Sequence, residues 1–229
     1  MSETWSIFDV IGPVMIGPSS SHTAGACFIG LMARQIFGEE PKEVKIKLHG
    51  SYGEVYKGHG TDIAILAGLL NIQPHESILA QSMEIAKKKK IKFEFESCNL
   101  GSNLHPNTAL IKMIAKDKKM YVQGESIGGG KCKITEIDKA IVSIGPEMSC
   151  LLVKYDNKNN ILTDIINIVT KRNFHINQID TPVYKDVTLA VIMVREHFEN
   201  DILNDIKKLP GVIFTSYINH ISHYNQNYD

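Results

Sequence analysis

The residues best placed to do chemistry stand in one short run, Ile16-Gly17-Pro18-Ser19-Ser20-Ser21-His22-Thr23-Ala24-Gly25, which leads into an apolar pattern at helical spacing. A helix that begins inside this run presents unpaired backbone N–H groups and the positive end of its dipole, and both favour an anion such as a carboxylate. The same field disfavours an imidazolium, so a histidine at the position of His22 stays neutral and able to accept a proton. A general base beside a bound carboxylate is the chemistry that follows. The spacing is equally that of a serine-rich capping turn with a surface histidine. A serine nucleophile is disfavoured, because neighbours in sequence seldom point at one another and no G-x-S-x-G elbow occurs in the chain.

Two further clusters carry histidines. In His49-Gly50-Ser51-Tyr52 and Lys57-Gly58-His59-Gly60-Thr61-Asp62 a glycine-flanked imidazole is expected between a strand and a helix, where bare backbone and His59 come close to a ligand. A capped turn with Thr61 or Asp62 at the cap reads the same residues structurally. This is no dinucleotide fingerprint, since Ile63 stands where the third glycine belongs. In Leu104-His105-Pro106-Asn107-Thr108 the proline fixes a turn and a helix is expected over Asn107 to Ile114, so that His105 and Asn107 project at its start. Gly124 to Lys131 lacks the phosphate-loop spacing, and Lys87 to Lys90 reads as a solvated helix end.

The elements that must position these clusters are legible by period. Phe28, Leu31, Met32 and Ile36 repeat at helical spacing up to Gly38, and Val44, Ile46 and Leu48 alternate as a half-buried strand. Helical patterns run from Thr61 to Leu70 and from Glu76 to Met83; Ile91, Phe93 and Phe95 mark a strand, and Met120–Gln123 and Lys131–Thr135 flank Gly128-Gly129-Gly130 as a hairpin. Residues 1–147 are thus an α+β (α/β) unit with a mixed sheet. After the break at Gly145-Pro146, residues 148–229 read as strand, helix, strand, strand, helix, strand, the ferredoxin-like βαββαβ arrangement. Its strands are Cys150–Tyr155, Ile176–Tyr184, Val187–Arg195 and Ile213–Ile218.

Composition narrows the partners. The 229 residues carry 25 Lys+Arg against 25 Asp+Glu, with 43% hydrophobic residues, which gives a compact chain without the electrostatic footprint of a nucleic-acid or membrane binder. No apolar run approaches the ~20 residues of a spanning helix, and the start lacks an export signal, so a cytoplasmic protein is expected. Cys27, Cys98, Cys132 and Cys150 form no C-x-x-C pair, and the expectation is buried free thiols rather than a metal or cluster framework.

The C-terminal unit resembles ACT domains, small modules that usually bind amino acids. Those that do so carry a glycine in the turn after the first strand, whereas here Asp156-Asn157-Lys158-Asn159-Asn160 has none, so assembly into a higher oligomer through its sheet stands beside ligand binding. The opening Ser6-Ile7-Phe8-Asp9-Val10-Ile11-Gly12-Pro13, the run from Gly17 to Gly25, Gly58-His59-Gly60-Thr61-Asp62, His105-Pro106-Asn107 and Ser126-Ile127-Gly128-Gly129-Gly130 together resemble the beta subunit of bacterial iron-sulfur L-serine dehydratases. The resemblance departs at Ala26, where that family commonly has proline. The beta domain of that family is also similar to the allosteric substrate-binding domain of some D-3-phosphoglycerate dehydrogenases, which keeps open a second reading, a non-catalytic amino-acid-sensing module.

The resemblance implies deamination of L-serine to pyruvate and ammonia with a [4Fe-4S] cluster held by cysteines of a separate alpha subunit, and it leaves a monovalent-cation requirement open. In that chemistry one iron polarises the serine hydroxyl while a base removes the Cα proton. It further implies His22 as the base or proton shuttle, with Ser19, Ser20, Ser21 and Thr23 holding the substrate carboxylate and His59, Asp62, His105 and Asn107 completing the pocket wall.

Overall fold

The computed structural model describes residues 15–157 and 161–221; the opening motif from Ser6 to Pro13 and the part of the turn from Lys158 to Asn160 lie outside the described residues. A π-helical turn, Ser20–Gly25, runs directly into α1 (Ala26–Phe37), so a helix does begin inside the serine-rich run. α1 is buried at every position except Arg34 and Gln35 and touches both sheets described below, which makes it the central helix of the molecule. Gly38 ends it in the left-handed region, where its amide donates to the Arg34 carbonyl.

The first sheet has the order β2-β1-β3-β4-β5-β6, built from β1 (Glu43–Leu48), β2 (Lys92–Ser97), β3 (Thr108–Ala115), β4 (Lys118–Gly128), β5 (Lys131–Ile137) and β6 (Ala140–Ile144). β1 and β2 are parallel and the remaining neighbours antiparallel, the mixed sheet that the sequence implies. Between β1 and β2 the chain forms α2 (Ser51–His59), α3 (Thr61–Leu69), a 3-10 turn (Ser77–Gln81) and α4 (Ser82–Lys88). Close approach of α1 and α3 depends on two glycines: a Cβ on Gly30 would strike the Ile65 carbonyl, and one on Gly68 the Cys27 carbonyl.

The second sheet has the order β11-β7-β10-β8, formed by β7 (Ser149–Asp156), β8 (Ile176–Asp180), β10 (Val187–Val194) and β11 (Val212–Ile218), with β9 (Val183–Tyr184) paired to β10. With α5 (Leu162–Lys171) and α6 (Asn200–Ile206) this is the split βαβ connectivity expected from the apolar runs. Leu151, Val153, Ala190 and Ile192 face α5 and α6 in one core cluster. On the opposite face Leu152, Leu189, Val191 and Met193 belong to the same cluster as α1 and the first sheet. Both faces of β7 and β10 are therefore buried, which is why these strands read as nearly continuous apolar runs.

Four expectations need correction. The segment from Asn107 to Ile114 is not helical: Thr108 to Ala115 is strand β3, because Ala109, Ile111, Met113 and Ala115 are buried at a period of two. Leu110 and Ile114, four apart, fit either period, and cross-strand pairing to β1 and β4 decides. His105 and Asn107 consequently stand at the entrance to a strand. The histidine of the Gly58–Gly60 segment does not follow a strand either, since His59 is the last residue of α2, capped by Gly60 at φ 67°. The strand expected from Ile176 to Tyr184 is broken into β8 and β9 at Thr181-Pro182, where the proline lacks an N–H to continue the ladder. Finally, Ser21 and His22 do point at one another, with Oγ 3.1 Å from Nδ1.

Candidate active site

The π-helical turn folds the serine-rich run around His22. Ser19 stands at the N-cap, its Oγ accepting from the His22 amide at 3.1 Å, while its carbonyl accepts from the Thr23 amide at 2.8 Å. On the side chain, Nδ1 meets Ser21 Oγ at 3.1 Å and Ser19 Oγ at 3.5 Å, and Nε2 meets Ser51 Oγ at 3.1 Å. Both ring nitrogens thus face hydroxyls, which can donate or accept and so suit a neutral imidazole in either tautomer. Burial lowers the His22 pKa from the ordinary value, and the neighbouring His59 ring, 5.0 Å away between centroids, lowers it further. The neutrality inferred from the helix start therefore holds in direction, with burial and a like-charged neighbour as its causes.

Ser51 reaches His22 because Gly50 turns the chain sharply out of β1 at φ 54°, tight against Pro106, a place where any Cβ would collide with the proline. Tyr52, next in the chain, is fully buried; its hydroxyl donates to the Ser21 carbonyl at 2.9 Å and its ring meets His22 edge-on at 5.2 Å. Its amide donates to the Pro106 carbonyl, so one short segment of α2 clamps the serine turn on one side and the His105–Asn107 loop on the other. That loop is internally braced: the Asn107 amide donates to His105 Nδ1 at 3.1 Å, and Thr108 Oγ1 donates to the His105 carbonyl at 2.6 Å. The Asn107 carbonyl accepts from the Ser126 amide, and Ser126 in turn packs where a Cβ on Gly25 would sit. Asn107 Oδ1 is buried and has no hydrogen-bond partner among the described residues, which leaves it as an acceptor for a bound group.

The structure thus gathers Ser19, Ser21, His22 and His59 directly, and ties His105 and Asn107 to them through Gly50, Ser51 and Tyr52. Thr23 is buried, and its hydroxyl donates to the His59 carbonyl at 3.2 Å, locking the turn to the end of α2. Asp62 is also buried; its carboxylate accepts from the Ile63 amide and burial pushes its pKa up. Ser20 contributes the first residue of the π-helical turn, directly after the Ser19 cap. Ser51, Tyr52 and Ser126 had no role assigned from sequence. The signal for Ser51 was its place immediately after a strand and a glycine, but its contact with His22 spans 29 positions.

No group of three or more His, Cys, Asp or Glu able to hold a metal occurs among the described residues. Cys27, Cys132 and Cys150 are buried with their thiol pKa pushed up by burial, the reverse of what a thiolate ligand needs, and Cys98 is alone. These residues do not fit an iron-sulfur cluster on this chain. No helix among the described residues is long and apolar enough to cross a membrane.

Comparison with known proteins bears on the same residues. Residues 6–136 match the family described as serine dehydratase beta chain, a span that includes the whole His22 site. Over 211 residues the chain is 38% identical to the probable L-serine dehydratase, beta chain, of Bacillus subtilis, covering 91% of this chain and 95% of that one. It is 35% identical over 191 residues to the L-serine dehydratase, beta chain, of Peptoniphilus asaccharolyticus, covering 83% of this chain and 86% of that one. L-serine dehydratase 2 of Escherichia coli is 33% identical over 151 residues, which are 55% of this chain and only 32% of that longer protein. The family span covers more than half of the chain and the two similarities are nearly full-length, so the chain belongs to the serine dehydratase beta-chain family.

Proposed function

We propose that this chain is the beta subunit of a cytoplasmic L-serine dehydratase, a lyase that converts L-serine to pyruvate and ammonia together with an alpha subunit that holds a [4Fe-4S] cluster. The observation that carries the reading is the half-buried His22, its pKa lowered by burial, with a hydroxyl at each ring nitrogen, standing in the first turn of a helical segment. Supporting it, the two relatives that match over most of their length are themselves named as beta chains of L-serine dehydratase.

In this reading the amides that open the turn at Ser20 and Ser21, with the hydroxyls around them, receive the substrate carboxylate. His22 takes the Cα proton, and Ser21 and Ser51 hold its ring in place and carry the proton away. The orphan Asn107 Oδ1 accepts from the substrate ammonium. His59 and buried Asp62 close the wall and limit water. Loss of the β-hydroxyl leaves aminoacrylate, which hydrolyses to pyruvate and ammonia. The Lewis acid for that departure is the alpha subunit's to supply. The second sheet with α5 and α6 is an ACT-type domain, and that sheet joins beta subunits into a higher oligomer.

The test is anaerobic co-expression of this chain with its alpha partner, followed by pyruvate release from L-serine. Activity in the iron-containing complex and none in the isolated chain is the expected result. Serine binding by the isolated chain, with an inactive complex, would replace the lyase with an amino-acid-sensing module.

A further inference from the structure

At the far end of α1 from His22, a cleft of about 520 Å³ opens between the two sheets. It is lined by Arg34 of α1, Lys118 at the start of β4, Lys207 just after α6, and Thr215 and Ser216 of β11. A second groove of about 530 Å³ continues along β11, sharing Lys118, Lys207 and Thr215. Three cations from three different elements therefore converge on one edge strand, in a chain whose formal net charge is zero.

The polar inventory of this cleft does not close within the described residues. Thr215 and Ser216 are 7% and 2% exposed, and neither Thr215 Oγ1 nor Ser216 Oγ has a hydrogen-bond partner there. Because neighbouring residues of a strand point to opposite faces, the two hydroxyls flank the β11 edge from its two sides. Arg34 and Lys207 form no ion pair among the described residues. Of the carboxylates near Arg34, Glu40 is committed to Lys89, and only Glu39 lines the cleft. Lys118 donates to the Phe37 carbonyl and lies over the Phe37 and Phe214 rings, at 4.5 and 4.8 Å from their centroids, so its ammonium is fixed rather than swinging in solvent.

Buried, unpaired polar atoms and mutually facing cations are costly arrangements that a bound anion relieves. We propose that this cleft binds a small organic anion, a phosphorylated or dicarboxylate metabolite, through Arg34, Lys118, Lys207 and the hydroxyl of Ser216. Its volume is in the range of small-molecule pockets and exceeds what inorganic phosphate alone would fill. Burial lowers the Lys118 pKa; Glu39 opposes that shift, while the nearby Lys207 and Arg34 add to it. The site is separate from the His22 pocket: about eight residues of α1 from Ala26 to Arg34, at a rise of about 1.5 Å each, stand between them.

The experiment is calorimetric titration of the full chain, at low ionic strength, with inorganic phosphate and with malonate, against a matched chloride control. Saturable one-to-one binding in the millimolar range or tighter is expected for at least one of the two, and the tighter of them names the ligand's anionic end. Lys207→Gln, on an exposed residue that leaves the core untouched, should weaken it at least tenfold, and Ser216→Ala should weaken it without loss of the thermal transition. Absence of saturable heat up to about 10 mM of either anion overturns the proposal. So does binding that is the same in wild type, Lys207→Gln and Ser216→Ala.

Discussion

His22 lives between two requirements that its surroundings reconcile. In the role proposed for it, it must be neutral to accept a proton, and its ring must be held, which the Ser21 and Ser51 hydroxyls do from opposite ends. In the assembled enzyme, His22→Ala should lower kcat by roughly 10²- to 10⁴-fold with a much smaller change in KM, the size of a lost general base. The pH profile gives a sharper reading. Because the His22 pKa lies below the ordinary 6.5, kcat/KM should stay high at and somewhat below that pH and fall only as pH drops through the lowered value. His59→Gln removes the like-charged neighbour, so the acid limb should move to higher pH, yet stay under the ordinary histidine value because burial is the larger cause. An acid limb that does not move would detach it from His22. From spacing alone the histidine read equally as a base and as a surface residue of a capping turn; the structure sets it half-buried between two hydroxyls. Its second partner was not legible in the sequence, because the contact between His22 and Ser51 depends on the turn at Gly50 and on the Pro106 loop behind it.

Elements were legible where one period alone fitted. α1, β1 and β2 announce themselves by an apolar face at one period, and β7 and β10 by a nearly continuous apolar run. β3 did not, since Leu110 and Ile114 match a helix while the buried set at Ala109, Ile111 and Met113 matches a strand; only its neighbours β1 and β4 resolve the choice. α2 was invisible for a different reason: Gly53, Gly58 and Gly60 are turn residues by local preference, and the helix is held by what it packs against rather than by propensity. The pairing of α1 with α3 carries a direct test. Gly68→Ala drives a methyl group into the backbone of α1 at Cys27 and should cost about 1–3 kcal/mol or more of folding stability, read from urea unfolding. An unchanged midpoint would mean that the two helices can separate without loss.

Taken whole, the molecule has two sheets and two apolar clusters, of which the larger spans both sheets. Leu152, Leu189, Val191, Met193 and Ile218 of the second sheet sit in the cluster that contains α1 and the inner residues of the first. Urea should therefore unfold the chain in one transition that backbone circular dichroism and Trp-independent probes such as Cys27 or Cys132 accessibility report at the same midpoint. Leu152→Ala should lower folding stability by about 2–5 kcal/mol and shift the midpoint of both halves together. Two separate transitions would show the halves to be autonomous. The same shared cluster constrains how such a chain can be rebuilt. A C-terminal sheet transplanted from a relative would bring its own Leu152, Val191 and Met193 equivalents to a surface shaped by this chain's α1, so a working chimaera has to inherit the facing residues of α1, Phe28 to Phe37, along with the graft. Recombination between such proteins is then permitted only when both sides of the seam change together.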